Sequence, residues 1–363
     1  MSRLTVTIPA RNEAKLIERT LLALSAQQGV APGDFDVIVF ANNCVDDTVQ
    51  RVRRFAREYP TLPITVLEAA LSGEDAHIGW ARNRVMNAAA RRFHERGVDG
   101  IIASTDADTV VAPTWVANTI DEMRDVDAVA GRIHILDADF AILPHHQRAA
   151  YERDGVYYRM LALLEATHDP VEWDPAPRHA DHFGGSFAVR ASVYSLVGGV
   201  PMIRCLEDVA LYNRLLRADR RVRHSHRVYV ETSGRQHARV TGGFATHLAD
   251  LDRLGEWRVE HPQITIGLMR ARRILRRMWE RKMSESEART LANALDLAPA
   301  RVVTVLDFSL TYGENWHRLF EASQPIRETH TRVPVEDALA VLASAIDAVA
   351  EPATRMSAAS GAG

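Results

Sequence analysis

Cysteine is nearly missing from this chain: 363 residues contain only Cys44 and Cys205. The two stand far apart and in no C-x-x-C or Cys/His spacing, which argues against both a zinc site and a disulfide framework. No apolar run approaches the roughly 18 residues that a membrane span requires. The opening Met1-Ser2-Arg3-Leu4-Thr5-Val6 lacks the apolar h-region of a signal peptide. A reducing compartment is the expected setting, with the cytoplasm as the default location. A surplus of charge is missing too. Lys and Arg number 44 against 47 Asp and Glu, a formal charge of −3, so wholesale nucleic-acid binding has no electrostatic support. Glycine is absent where two common nucleotide folds place it. After the first strand-like run the chain reads Pro9-Ala10-Arg11-Asn12-Glu13. This excludes the G-x-G-x-x-G of a nicotinamide dehydrogenase and the Gly-rich phosphate loop of a sugar-nucleotide pyrophosphorylase.

What is present is an α/β pattern. Leu4–Pro9, residues 37–40, residues 64–67 and residues 100–104 are short apolar, β-branched runs. Between them, apolar residues recur at helical spacing: Ala14, Ile17, Leu21 and Leu24, then Val45, Val49, Val52 and Phe55, then a segment from Trp80 to Phe93. Strands alternating with helices predict β-α-β units and a Rossmann-like, mostly parallel sheet flanked by helices. From about Ala128 the pattern changes. Residues 128–135 read as a strand, 146–165 as a helix, and 168–182 as a loop rich in Pro, Asp and His. Residues 183–190 read as a strand, 207–216 as a helix and 227–230 as a strand. The spacing places a first domain over 1–245 and a mainly helical region over 246–363. Within the latter, Val335–Val349 carries an apolar stripe, and a small, polar tail from Thr354 is expected to be disordered.

Ser104-Thr105-Asp106-Ala107-Asp108-Thr109 follows the fourth strand. Two carboxylates flanking one small residue can hold a divalent cation against a pyrophosphate. Hard Mg²⁺ or Mn²⁺ takes one or two protein oxygens and fills its remaining positions with phosphate and water. A turn with two solvated aspartates has the same spelling, so position matters. Ligands of open α/β sheets bind outside the carboxyl ends of the strands. All four strands end in polar residues: Arg11-Asn12-Glu13, Asn42-Asn43, Glu68 and Asp106-Ala107-Asp108.

The ordered set Thr7-Ile8-Pro9-Ala10-Arg11-Asn12-Glu13, Gly79-Trp80-Ala81-Arg82-Asn83, Asp106-Ala107-Asp108 and Glu207-Asp208 resembles glycosyltransferase family 2, over roughly residues 3 to 245. The resemblance implies a GT-A fold and transfer of a sugar from a nucleotide-diphosphate donor to an acceptor hydroxyl. It implies a donor half over 1–127 and an acceptor half over 128–245. Pro9, Ala10 and Arg11 would line the nucleotide pocket, and Glu13 would accept hydrogen bonds from the nucleoside. Arg82 would lie near the phosphates, for which a forked guanidinium is suited. Asp106 would contact the ribose, or the metal through water, and Asp108 would ligate the metal directly. The family often has an aspartate at the end of the second strand, where this chain has Ala41. Asn42 or Asn43 could supply the base contact instead, since an amide both donates and accepts. UDP is the default nucleotide and GDP the next.

On the acceptor side, Gly184 and Gly185 before Ser186 would let backbone approach a ligand closely; a bulge without a ligand has the same spelling. Glu207 would bind the acceptor, and Asp208 would be the general base of an inverting transfer. A helix N-terminus favours negative charge at that place. Arg235 or Arg239 would contact phosphate, and His237 is a candidate third metal ligand, acceptable to Mn²⁺. Gly242-Gly243 beyond them would suit the hinge of a lid. A retaining enzyme acting on a small phosphorylated acceptor, or a non-catalytic nucleotide-sugar sensor, would share much of this pattern. Arg270, Arg272, Arg273, Arg276, Arg277, Arg281 and Lys282, interspersed with Ile274, Leu275, Met278 and Trp279, form a basic helix. It suits either peripheral contact with an anionic membrane or a solvated or oligomeric face.

Overall fold

The structure, a computed structural model, describes residues 2–73, 76–235, 258–281, 285–327 and 332–360. The chain divides into two compact units. One comprises residues 1–143, 181–215 and 220–250, and the other 144–180, 216–219 and 251–363.

The first unit is built on one eight-stranded sheet. Its strands are β1 (Leu4–Ala10), β2 (Phe35–Asn42), β3 (Ile64–Ala69), β4 (Ile101–Ser104), β5 (Val110–Val111), β6 (Ala128–Ile135), β7 (Phe187–Arg190) and β8 (Val222–Thr232). They run in the order β3-β2-β1-β4-β7-β6-β8-β5. The first four are mutually parallel. Every residue of β1 and β2 is buried, as expected for parallel strands covered on both faces. The helix α3 (Ile78–Glu95) packs Ala81, Val85, Met86, Ala89 and Phe93 against Ile38, Phe40 and Ile102 of the sheet.

The strand order reverses at β1. Chain growth runs outward through β2 to β3, then returns to place β4 on the other side of β1. The carboxyl edge beside β1 and β4 is thus a topological switch point, the position at which open α/β sheets bind ligands. Past β4 the sheet becomes mixed. β7 pairs antiparallel with both β4 and β6, while β6 and β8 are parallel.

The strand expected over 183–190 starts only at Phe187, because Gly184–Ser186 form a 3₁₀ turn. Four small elements had too little periodicity to be read from sequence: β5, the helix α4 (Trp115–Glu122) and the short helices over Asp137–Ala141 and Ala191–Leu196. Trp115 is fully buried, and its Nε1 donates to Ser186 Oγ at 3.1 Å. A register shift in β6 falls between Gly131 and Arg132. A Cβ at Gly131 would lie 2.1 Å from Ser186 Oγ, so only glycine lets this turn close.

The second unit is mainly helical, with helices over His145–His168, Pro262–Arg281, Glu285–Ala294, Pro299–Val305, Tyr312–Arg327 and Val335–Ser360. A short antiparallel pair joins Arg258–Val259 to Val333–Pro334. The arginines of the 262–281 helix divide by face. Arg272 and Arg276 turn inward onto Asp169, Arg272 also onto Glu165, whereas Arg270, Arg273 and Arg277 are exposed. Leu275 and Met278 are fully buried. Only part of the basic run is thus a surface. Among the described residues, no helix is long and apolar enough to cross a membrane.

Candidate active site

The loops after β1 and β2 are cross-tied. Asn12 and Asn43 both have positive φ, 53° and 51°, a conformation that asparagine tolerates better than most residues. Asn12 Oδ1 accepts from Val45 N at 2.8 Å, and Glu13 N donates to Thr48 Oγ1 at 2.8 Å. Asp46 accepts from Ala14 N at 3.1 Å and from Thr48 Oγ1 at 2.5 Å. Asn43 clamps the segment after β3, donating to Leu71 O at 2.7 Å and accepting from Leu71 N at 2.8 Å. Pro9 and Ala10 are buried at the end of β1, and Arg11 is exposed. Asn42 is buried, and its Oδ1 has no hydrogen-bond partner among the described residues. A buried polar atom left unpaired is costly, and this one stands at the strand end.

The D-x-D segment is held by its backbone. Thr20 Oγ1 donates to Ala107 O at 3.0 Å, and Arg19 Nη2 to Asp108 O at 3.1 Å. The Asp106 side chain is 37% exposed, and that of Asp108 only 9%. Arg235 reaches across to two buried acids. Its Nη2 lies 2.9 Å from Asp108 Oδ2, and its Nη1 3.0 and 3.1 Å from the two Glu13 carboxylate oxygens. Burial pushes the Asp108 carboxyl up to about 6. Arg235 pulls it down, and the charges of Asp106 and Glu13 add to the rise. Among the described residues, no group of three or more His, Cys, Asp or Glu could hold a metal ion. The carboxylates of Asp106 and Asp108 are nonetheless hard oxygen donors that repel one another. They suit Mg²⁺ or Mn²⁺, which needs only one or two of them beside a diphosphate.

The second cluster centres on Arg82. Its side chain is 5% exposed, and it extends from α3 to Gly184 and Glu207. Nε donates to Glu207 Oε1 at 2.8 Å. Nη1 donates to Ser104 Oγ at 2.6 Å and Gly184 O at 3.1 Å, and Nη2 to Asp106 Oδ1 at 2.9 Å. Burial opposes a charge here, but the carboxylates of Asp106, Glu207 and Asp208 overcome it and hold the guanidinium firmly protonated. Glu207 is buried, and burial pushes its carboxyl upward against the pull of Arg82.

Asp208 lies in the first turn of the helix α8 (Glu207–Arg217). Its Oδ2 accepts from Gly184 N at 2.6 Å, and its Oδ1 from its neighbour Val209 N at 2.8 Å. Leu206, just before the helix, has a φ of 58°, which costs on the order of 1 kcal/mol for a non-glycine residue. This strain sits directly beside the acid pair. A Cβ on Gly184 would lie 2.5 Å from Arg82 Cζ, and one on Gly185 3.2 Å from Asp106 Oδ2.

The fold thus gathers Arg82, Asp106, Gly184, Gly185, Glu207 and Asp208 into one cluster, and Glu13, Asp108 and Arg235 into a neighbouring one. Ser186 is engaged instead with Trp115. His237, Arg239, Gly242 and Gly243 lie outside the described residues. Ser104, Asp46 and Thr48 were not singled out from the sequence. Ser104 stands two residues before Asp106 of the D-x-D segment, which could have flagged it. Nothing local marks Asp46 as a tie between two loops.

Residues 5–176 match the family model described as Glycosyl transferase family 2. The mostly parallel, helix-flanked sheet is the arrangement that the resemblance to this family implies. No curated protein matches the sequence. Among solved structures, the chain is similar to the mannosyltransferase PcManGT from Pyrobaculum calidifontis in complex with GDP-Man and Mn²⁺. The identity is 18%, with 94% of this chain and 79% of that one covered and a TM-score of 0.46. It is also similar to residues 1–349 of TarS from S. aureus in complex with UDP-GlcNAc, at 12% identity, with coverage of 90% and 92% and a TM-score of 0.48. A third, glucosyl-3-phosphoglycerate synthase from M. tuberculosis, is 15% identical, with coverage of 76% and 80% and a TM-score of 0.40.

Proposed function

We propose that this chain moves a sugar from a nucleotide-diphosphate donor to an acceptor hydroxyl, with inversion and with Asp208 as general base. One observation carries the reading. Asp106, in the D-x-D segment, is ion-paired with the buried Arg82, and Gly184 links the same guanidinium to Asp208 at the start of α8: its carbonyl accepts from Arg82 and its N–H donates to Asp208. This linkage supports assigning an acceptor-side acid and a donor-side acid to one site.

Each Asp208 oxygen holds one backbone N–H. This fixes the plane of the carboxylate and leaves lone pairs for an incoming hydroxyl. The proton moves to Asp208 as the acceptor oxygen attacks. Asp108, with Asp106, would hold Mg²⁺ or Mn²⁺. When bound, the cation offsets charge building on the departing nucleoside diphosphate. Asn42, turning its buried and unpaired Oδ1 outward, would accept from a ring N–H of the base, which uracil and guanine both have, so UDP and GDP are the donor nucleotides proposed. Pro9, Ala10 and Arg11 border the same strand end. Arg235 leaves its acid partners to meet the diphosphate.

A thermal-shift screen of nucleoside diphosphates with Mg²⁺ and Mn²⁺ tests the donor side. UDP or GDP should raise the melting temperature only when a divalent cation is present. The anomeric configuration of the product, read by NMR, tests inversion; retained configuration would remove Asp208 from the role of base.

A further inference from the structure

We infer that Arg82 is a positioning residue, which holds the acceptor-side base Asp208 in register with the donor-side Asp106. The inference rests on the sugar-transfer reading above. Four of the five N–H groups of an arginine are already used within the protein, by Glu207, Ser104, Gly184 and Asp106. With its side chain 5% exposed, Arg82 has little left to offer a phosphate. Its path to Asp208 is short. The carbonyl of Gly184 accepts from Arg82, and the N–H of the same residue donates to Asp208 Oδ2. Glu207, held by Nε, precedes Asp208 in the first turn of α8. The approach works only because Gly184 has no Cβ.

A buried ion cluster adds little net stability over well-packed apolar side chains. What this one does is geometric. Asp106, Glu207 and Asp208 carry the same charge and would push one another apart. One planar cation spanning three chain segments keeps them together. Lysine, a compact point charge on a flexible stem, cannot reproduce the fork.

The test uses UDP- and GDP-hexoses with water as acceptor, and UDP and GDP with Mn²⁺ for calorimetry, on Arg82→Lys, Asp208→Asn and the double variant. Arg82→Lys should lower turnover at least tenfold and leave nucleoside-diphosphate affinity within about threefold. It should add almost nothing in the Asp208→Asn background, as expected of residues that act as a unit. A tenfold loss of nucleoside-diphosphate affinity in both backgrounds would make Arg82 a phosphate ligand and overturn the inference. An equal loss of turnover in both backgrounds would reduce Arg82 to a scaffold residue and overturn it as well. Should Arg82→Lys fail to fold, Arg82→Met combined with Glu207→Gln replaces the charged pair with a neutral one. That variant should fold and still lose at least tenfold in turnover; full turnover would refute a positioning role. If the wild-type protein turns over no nucleotide sugar, the sugar-transfer reading falls first and takes this inference with it.

Discussion

The Arg235 guanidinium lies 2.9 Å from Asp108 Oδ2 while also holding both carboxylate oxygens of Glu13. A cation bound through Asp108 Oδ2 would therefore compete with an arginine that is already there. Two charges about 4 Å apart near a protein surface interact by about 4 kcal/mol, so this competition is substantial. Arg235→Ala should bind Mn²⁺ more tightly than wild type in the absence of nucleotide, by about tenfold or more. With Mn²⁺ present it should bind UDP or GDP more weakly. Calorimetry reads both, and an unchanged Mn²⁺ affinity would show that Arg235 does not occupy the cation's place.

Asp108 makes the metal-free protein sensitive to pH. Its carboxyl stands at about 6, against an ordinary value of 3.8. A folded-state value above the unfolded one means that the group's contribution to stability is full below about 3.8. It is lost as pH rises through about 6. Asp108→Asn has no such loss, at most about 3 kcal/mol. Its melting temperature relative to wild type should therefore rise between pH 4 and pH 7.5 without metal. A gap that narrows over that range would contradict the assignment. Protons also compete with the cation, so the apparent Mn²⁺ affinity of wild type should fall below pH 6, by about tenfold per unit.

Asp208→Asn keeps the shape of the side chain and one acceptor oxygen but can no longer take a proton. Turnover should drop by about 10²–10⁴, with UDP or GDP affinity in the presence of Mn²⁺ nearly unchanged. A comparable fall in nucleotide affinity would place Asp208 on the donor side instead.

Gly184→Ala would put a methyl group 2.5 Å from Arg82 Cζ. Neither partner has room to yield, because the guanidinium is fixed by four hydrogen bonds. Overpacking of this kind costs about 1–3 kcal/mol, and the shift should lower turnover as well. Denaturant unfolding and steady-state rates check the two effects. Gly33, at φ 86° with nothing within 4 Å of its Cβ position, serves as the control: alanine there should cost only backbone strain.

Asn42→Ala should weaken UDP or GDP binding by about tenfold, the value of one hydrogen bond of about 1.5 kcal/mol. Competition by inorganic pyrophosphate should not change, since the contact proposed is to the base. Equal losses for both ligands would move Asn42 away from the base.

Much of this architecture was legible in the linear chain because it depends on periodicity. The apolar, β-branched runs of β1 to β4 and the helical spacing of Val49, Val52 and Phe55 emerge within a residue or two of their observed places. Less was legible where contacts are distant or elements short. The two residues of β5 and the eight of α4 offer too few positions for a period to show. The 3₁₀ turn at Gly184–Ser186 is spelled like the start of a strand.

The sequence by itself determined which acids, amides and glycines the domain possesses and the strand ends at which they stand, because hydrophobic alternation sets strand and helix locally. Only the tertiary structure decided their partners. Arg82 and Glu207 are 125 positions apart, and Arg235 and Glu13 are 222 apart. Side chains that distant meet only when the sheet closes in its particular order, and charge alone does not say whether an arginine will face a phosphate or bind a buried carboxylate.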